Sequence, residues 1–197
     1  MFRNISRSKV HFLLNITGLA IGMTCSLVIV SHLQFELSFD RFHQKQDRIF
    51  RLVEKQDFSG QKVTFLGQST PWMAETLVIY PEISKAVNFI NLGSIWIRHR
   101  GKAVEIPRAL MADPDIFTVF SFSILKGNPE TVLSKPNTVV ITEDMARSMF
   151  NETSPLGNII EGPDSKLYTI TGVAENVPEN SHLQFDMLVS IMEMRNQ

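Results

Sequence analysis

"FLLNITGLAIGMTCSLVIVSHL", residues 12–33, contains no Asp, Glu, Lys or Arg. As a helix rising 1.5 Å per residue it covers about 33 Å. A bilayer hydrocarbon core is about 30 Å thick, so the run can cross it with slight tilt. Its Leu, Ile, Val and Phe residues each favour insertion by about 0.3–0.6 kcal/mol, against smaller costs from Asn15, His32 and the small residues. Length excludes a buried strand, since strands usually run about 4–8 residues. A cleaved secretion signal would have about 7–15 apolar residues ending in a small-residue cleavage site. This run is longer and continues into His32-Leu33-Gln34-Phe35-Glu36 with no Ala-x-Ala pattern. The reading is a retained transmembrane helix.

Charge sets its direction. Arg3, Arg7 and Lys9 precede the run, and Glu36 and Asp40 follow it. Basic residues stay on the cytoplasmic side, so the positive-inside rule puts residues 1–11 in the cytoplasm and everything after Gln34 outside. In a bacterium that places the helix in the inner membrane and the main domain in the periplasm. The expected division is 1–11 cytoplasmic, 12–33 transmembrane, 34–48 juxtamembrane connector and 49–197 folded domain. Gly18, Gly22 and Ser26 recur every four residues and form one stripe of small side chains, where a second helix can approach closely. Small residues are also frequent in membrane helices without such a role.

The chain has 197 residues and a formal net charge of −1. Near-neutrality speaks against nucleic acid, which calls for a basic face. The single cysteine, Cys25, lies in the apolar run and excludes both a disulfide framework and a Cys-based zinc site. No histidine has a second His or Cys at metal-ligand spacing. His43 and Asp47, four apart, read as an exposed polar pair. No G-x-x-x-x-G-K-[ST] loop and no G-x-S-x-G elbow occurs. Ser181-His182 reads as part of a structural turn. The expectation is a non-enzymatic chain with no cofactor and no metal.

After the membrane segment, Ser38 or Asp40 is expected to cap a short helix. A strand from Ile49 to Val53 is expected to return through "KVTFLGQ" after a turn at Gly60. Thr70-Pro71 and Asp113-Pro114 each pair a capping side chain with a proline, the pattern of a helix start. The first helix is expected to reach about Tyr80, the second to run through Phe117 and Phe120. Ile95 and Ile97 alternate with Trp96 and Arg98, the period of a half-exposed strand. "TVVI" reads as a strand, and Thr142 as the cap of a helix ending near Phe150-Asn151. "KLYTITGVAENV" and "LQFDMLVSI" read as further strands. Strands and helices interleave without a βαβ rhythm, so the fold class is α+β.

Several stretches together carry a family resemblance. They are "RNISRSKVHFLLNITGLAIGMTCSLVIV", "ELSFDRFHQKQDRIFRL", "ADPDIFTVFSFSILKGNP", "NTVVITEDMARSMF", "SPLG" and "YTITGVAENVPENSH". In this order the chain resembles the N-terminal part of MacB/FtsX-type ABC transporter permeases: a first transmembrane helix, then a MacB-like periplasmic core domain. The motif positions are Asp113, Phe117, Phe120, Gly127, Pro129, Gly157, Gly172, Pro178, Ser181 and His182. Where the family often has Phe-Gly, this chain has Phe150-Asn151, and Asn tolerates the left-handed conformation better than most residues. Such permeases carry three more spans after the domain. None follows here, so the reading expects a fragment or a shortened product.

The resemblance implies a cytoplasmic ABC ATPase subunit and a second permease copy or homologue as partners. It also implies contact with membrane lipid and with a periplasmic partner protein. ATP-driven motion would pass along the helices to the periplasmic domain, as in efflux or in lipoprotein and cell-envelope transport. Phe39, Asp40, Phe42, Asp47 and Arg48, between span and domain, are the candidate coupling residues; a plain linker is the other reading. The alternative function is a membrane-anchored periplasmic sensing or binding module without a transport role.

Overall fold

The computed structural model describes residues 9–58, 61–66, 76–77, 79–151, 154–163 and 165–195. Arg3, Arg7, Gly60 and the helix start at Thr70-Pro71 lie outside the described residues. Contacts divide the chain into two units, residues 1–40 and 41–197.

The first unit is α1, Lys9–Glu36, 28 residues long with none buried. It is long and apolar enough to cross a membrane. At about 42 Å it matches a bilayer including its headgroup layers. Three of its four hydroxyls are satisfied within the helix. Thr17, Thr24 and Ser26 donate to the carbonyls of Leu13, Ala20 and Gly22 at 2.8–2.9 Å, which removes the cost of presenting them to hydrocarbon. After Glu36 the chain turns. Ser38 Oγ donates back to Phe35 O, and Asp40 takes φ +56°. Neither caps a helix: the next helical turn, Gln46–Arg48, has Lys45 at its N-cap.

In the second unit, β1 (Val53–Phe58) and β2 (Gln61–Leu66) form an antiparallel pair. The strand opens at Val53 rather than Ile49, because Arg48 and Ile49 still donate three residues back, to Lys45 and Gln46. The main body is built from β3 (Phe89–His99), β4 (Lys102–Ala112), β5 (Ile124–Lys126), β6 (Thr138–Thr142), β7 (Ile159–Glu161), β8 (Leu167–Ala174) and β9 (Met187–Ser190), with short helices α2 (Ile116–Val119), α3 (Glu143–Phe150) and α4 (Met192–Arg195). Its sheet order is β5-β8-β6-β9-β4-β3-β7, and β7 also pairs with β8. β8, β6, β9, β4, β3 and β7 thus close into a ring, completed by the Arg98–Glu161 register between β3 and β7. The fold is α+β.

Period-two alternation gives the sheet two buried faces. Val139 and Ile141 of β6, with Met187 and Val189 of β9, point to one side, joined by Ile97, Ile106, Ile160 and Ile170 and covered by Ala146 and Phe150 of α3. Val140 and Leu188 point to the other, against Leu110, Ile116, Phe122, Leu133 and Phe185. Burying each such side chain contributes about 1.5–3 kcal/mol. The alternation expected over Ile95–Arg98 is present: Ile97 is buried while Trp96 and Arg98 are exposed.

Two helix ends depart from expectation. Thr142 stands at the N-cap of α3 in extended backbone, but its side chain makes no capping bond. It is the last residue of β6 and buried; Asn176 Oδ1 accepts the Asp144 N–H instead, at 3.0 Å. At the other end Asn151 has positive φ, as expected, yet its ψ of −116° lies outside the left-handed helical well. That combination is the first central position of a type II′ turn, which glycine favours. Asn151→Gly is therefore expected to stabilise the domain by about 1 kcal/mol, raising Tm by about 2–4 °C in a thermal melt.

Candidate functional site

The segment that opens the folded domain is clamped onto one of the family-motif stretches. His43 is 4% exposed. Its ring stands edge-on to Phe120 and Phe122, with centroids 5.3 and 5.1 Å away, and tilts against Phe42 at 4.0 Å. Its Nδ1 accepts the Ser121 backbone N–H at 3.1 Å. Gln44 N–H donates to Ser121 Oγ at 2.9 Å, and Lys45 Nζ donates to Thr118 O at 2.8 Å. Three successive residues thus hold Thr118–Ser121, while Phe42 and Phe122 pack ring to ring at 5.9 Å. This corrects the expectation for His43. It is not half of an exposed pair with Asp47: Asp47 is exposed on the 3-10 turn, while His43 is enclosed by aromatic neighbours.

The segment it grips is fixed from behind. Asp113 is buried, and Oδ2 of its side chain accepts the Asn88 N–H at 2.7 Å. Its backbone N–H donates to Asn88 O. Asp113 is therefore an anchor to the irregular segment just before β3, and Asp115 is the residue at the N-cap of α2. The helix is a single turn that ends at Val119, so Phe117 lies within it and Phe120 just beyond; both pack against the second core cluster.

The other motif residues sit elsewhere in the domain. Gly127 and Gly172 lie close together with Val132 against both: a Cβ on Gly127 would lie 2.6 Å from Thr171 O and 2.8 Å from Val132 Cγ1. Pro129 follows Asn128, whose carbonyl accepts from Thr131 and Val132 and whose side chain accepts from Glu130. Gly157, at φ +78°, donates its N–H to Ile170 O. In the Pro178–His182 turn, Ser181 N–H donates to Pro178 O and Ser181 Oγ to Leu183 O; His182 is exposed. Gln184 tightens this turn by donating to the carbonyls of Pro178 and Ser181. Arg108 of β4 ties it to the sheet by hydrogen bonds to Gln184 and both carboxylate oxygens of Asp186. The Asp186 hydrogen bonds raise the Arg108 pKa from its ordinary value, against the lowering by desolvation.

Of the coupling candidates, Phe42 is half-buried in the clamp, whereas Asp47 and Arg48 are exposed. Phe39 stacks edge-on with Phe35 at 5.3 Å, within the first unit with Asp40. On α1, Gly18, Gly22 and Ser26 share an exposed face, and a Cβ at either glycine would meet nothing within 4 Å. Lys9 opens the helix, exposed. No group of His, Cys, Asp and Glu residues able to hold a metal ion occurs among the described residues.

The profile of the MacB-like periplasmic core domain matches residues 12–197. The chain belongs to this family. Among solved structures, it is similar to a domain assigned to a permease protein of Porphyromonas gingivalis, at 27% identity and a TM-score of 0.60, covering 68% of this chain and 57% of that one. It is also similar to the extracellular domain of the ABC-type transporter YknZ from Gram-positive bacteria, at 18% identity and a TM-score of 0.51, covering 66% of each. A third similarity is to the periplasmic region of MacB from Actinobacillus actinomycetemcomitans, at 17% identity and a TM-score of 0.48, covering 63% of this chain and 56% of that one. The chain thus spans 56–66% of the length of these three structures. No curated protein matches it.

Proposed function

We propose that this chain is part of an ABC transporter permease and relays ATP-driven motion from a cytoplasmic ATPase subunit to a domain outside the membrane. In this reading α1 crosses the inner membrane with Arg3, Arg7 and Lys9 on the cytoplasmic side. Gly18, Gly22 and Ser26 seat a neighbouring helix, from a second permease copy or another span. The folded domain stands in the periplasm, within reach of a periplasmic partner.

The observation that carries the proposal is the clamp at His43. Transmission needs a stiff attachment where the chain enters the domain. A flexible linker would absorb displacement; residues 42–45, held by three hydrogen bonds and an aromatic cage, instead deliver it to α2 and the sheet behind it. The coupling role therefore centres on Phe42, with His43, Gln44 and Lys45 added to it. Asp47 and Arg48 take no part in the clamp.

Alkaline phosphatase fused after residue 60 is expected to be active and the same enzyme fused after residue 8 inactive, with a cytoplasmic reporter giving the reverse. Two cytoplasmic signals would end both the topology and the relay. Co-purification of a Walker-type ATPase subunit with the full chain, lost when Arg3, Arg7 and Lys9 are deleted with the helix, is the accompanying check on partnership.

A further inference from the structure

His43 holds a position that only one of its protonation states can fill. A backbone amide keeps its hydrogen throughout the pH range a folded protein meets, so the ring atom facing it must offer a lone pair. The Ser121 N–H points at Nδ1 from 3.1 Å. Nδ1 therefore carries no hydrogen, and the ring is neutral. A second proton would set two N–H groups head to head at that distance. It would also put a charge in a space walled by Phe42, Phe120 and Phe122, where almost no water reaches the ring to solvate it.

The stretch packed against the ring, residues 118–122, carries no charged side chain. Just before it, the Asp113 carboxylate accepts the Asn88 N–H and Asp115 is ion-paired with Lys85 at 2.9 Å. Behind Phe122, Phe185 is followed by Asp186, which is ion-paired with Arg108. On the ring's own segment stand Asp40, Arg41, Lys45 and Asp47, and the Lys45 ammonium donates to Thr118 O. Among side chains of these kinds, imidazole is the one that ordinarily changes charge between about pH 5 and 8.

We infer that His43 is an acid-sensitive latch, whose protonation below about pH 6.5 shifts residues 42–45 toward release from Thr118–Ser121. The held ring is neutral and the released ring takes a proton, so protons favour release. The attachment is complete above that range and is lost as pH falls through it. In the topology proposed above the latch stands outside the membrane, where the surroundings set the pH, and acid uncouples the domain from α1. That consequence rests on the relay reading; the release itself does not.

Hydrogen exchange of the full chain in phosphatidylcholine nanodiscs, corrected for the intrinsic pH dependence of exchange, tests the latch. A ring that takes a proton only when released raises the opening constant about thirtyfold between pH 8 and pH 5. Protection in residues 42–46 and at Ser121 is expected to fall by about that factor, with β6 unchanged. In His43→Asn the side-chain carbonyl is an acceptor that does not titrate, and protection is expected to be equal at both pH values. His43→Phe, with no acceptor, is expected to show weak protection at both. Protection that stays level or rises at pH 5 in the unaltered chain, or that falls equally in His43→Asn, overturns the latch and leaves the relay standing. Absence of protection already at pH 8 removes the clamp, and the relay with it.

Discussion

Phe122→Ala is expected to cost the domain about 3–5 kcal/mol and to release residues 42–45 from their seat. Phe122 is almost fully buried and meets four rings: Phe42 and Phe120 at 5.9 Å, His43 and Phe185 at 5.1 Å, the last two edge-on. Truncating it opens a cavity between the entry segment and the core, and the neighbours can collapse only partly. His43 then loses a wall of its cage, so the Ser121 N–H bond to Nδ1 becomes open to water. For a domain of this size the loss lowers Tm by about 10 °C. Hydrogen exchange at residues 42–46 should quicken more than exchange in β6 and β9, which lie at the centre of the sheet. A fall in Tm with unchanged relative protection of 42–46 would show that the entry segment is not held by this cluster, and the relay would lose its physical basis. His43→Phe separates the two contributions. It keeps an aromatic body but removes the acceptor, leaving the Ser121 N–H without its partner at a cost of about 1–3 kcal/mol.

The clamp also marks the boundary between what the sequence discloses and what it does not. α1 is legible because composition alone dictates it: no charge across residues 12–33 leaves few other folds. β6 and the Ile95–Arg98 alternation are legible for the same kind of reason, a local period that burial imposes. His43 is not legible, because its environment comes from Phe120 and Phe122, nearly eighty positions away in the chain. Only the aromatics of the two segments, Phe42 in one and Phe120 and Phe122 in the other, hint that they meet. β5 and β7 escape a sequence reading because three residues are too few to establish a period. Thr142 misleads for a related reason: it has the chemistry of a cap, but the β6 ladder claims it, and a distant Asn176 does the capping. Asp113 has the chemistry of a cap too, and the backbone N–H of Asn88, just before β3, claims its carboxylate. In each case a long-range hydrogen bond outcompetes a local propensity worth about 1 kcal/mol.

Gly127→Ala should be among the most damaging single-methyl changes in the domain, and Gly157→Ala is its control. Both glycines have positive φ, +103° and +78°, so both alanines carry the backbone cost of about 1 kcal/mol. They differ in space. At Gly157 an added Cβ meets nothing within 4 Å. At Gly127 it would come within 2.6 Å of Thr171 O and 3.2 Å of Gly172 Cα, backbone atoms of β8, and 2.8 Å from Val132 Cγ1. β8 has little room to yield: Thr169, Ile170 and Gly172–Ala174 pair with β6, Thr171 at the irregularity between them donates its hydroxyl to the carbonyls of Val132 and Val139, and β5 pairs at Val173 and Ala174. Val132 is itself buried against the second core cluster. Relief must come from shifting β5 and the turn after it, an overpacking cost of about 1–3 kcal/mol on top of the strain. The expected total for Gly127→Ala is about 3 kcal/mol and a Tm lower by roughly 6–12 °C, against about 1 kcal/mol and roughly 2–4 °C for Gly157→Ala. Equal losses in the two melts would mean that only backbone conformation matters at position 127. The close approach of β5 to β8, and with it the reason for glycine in that motif, would then fall.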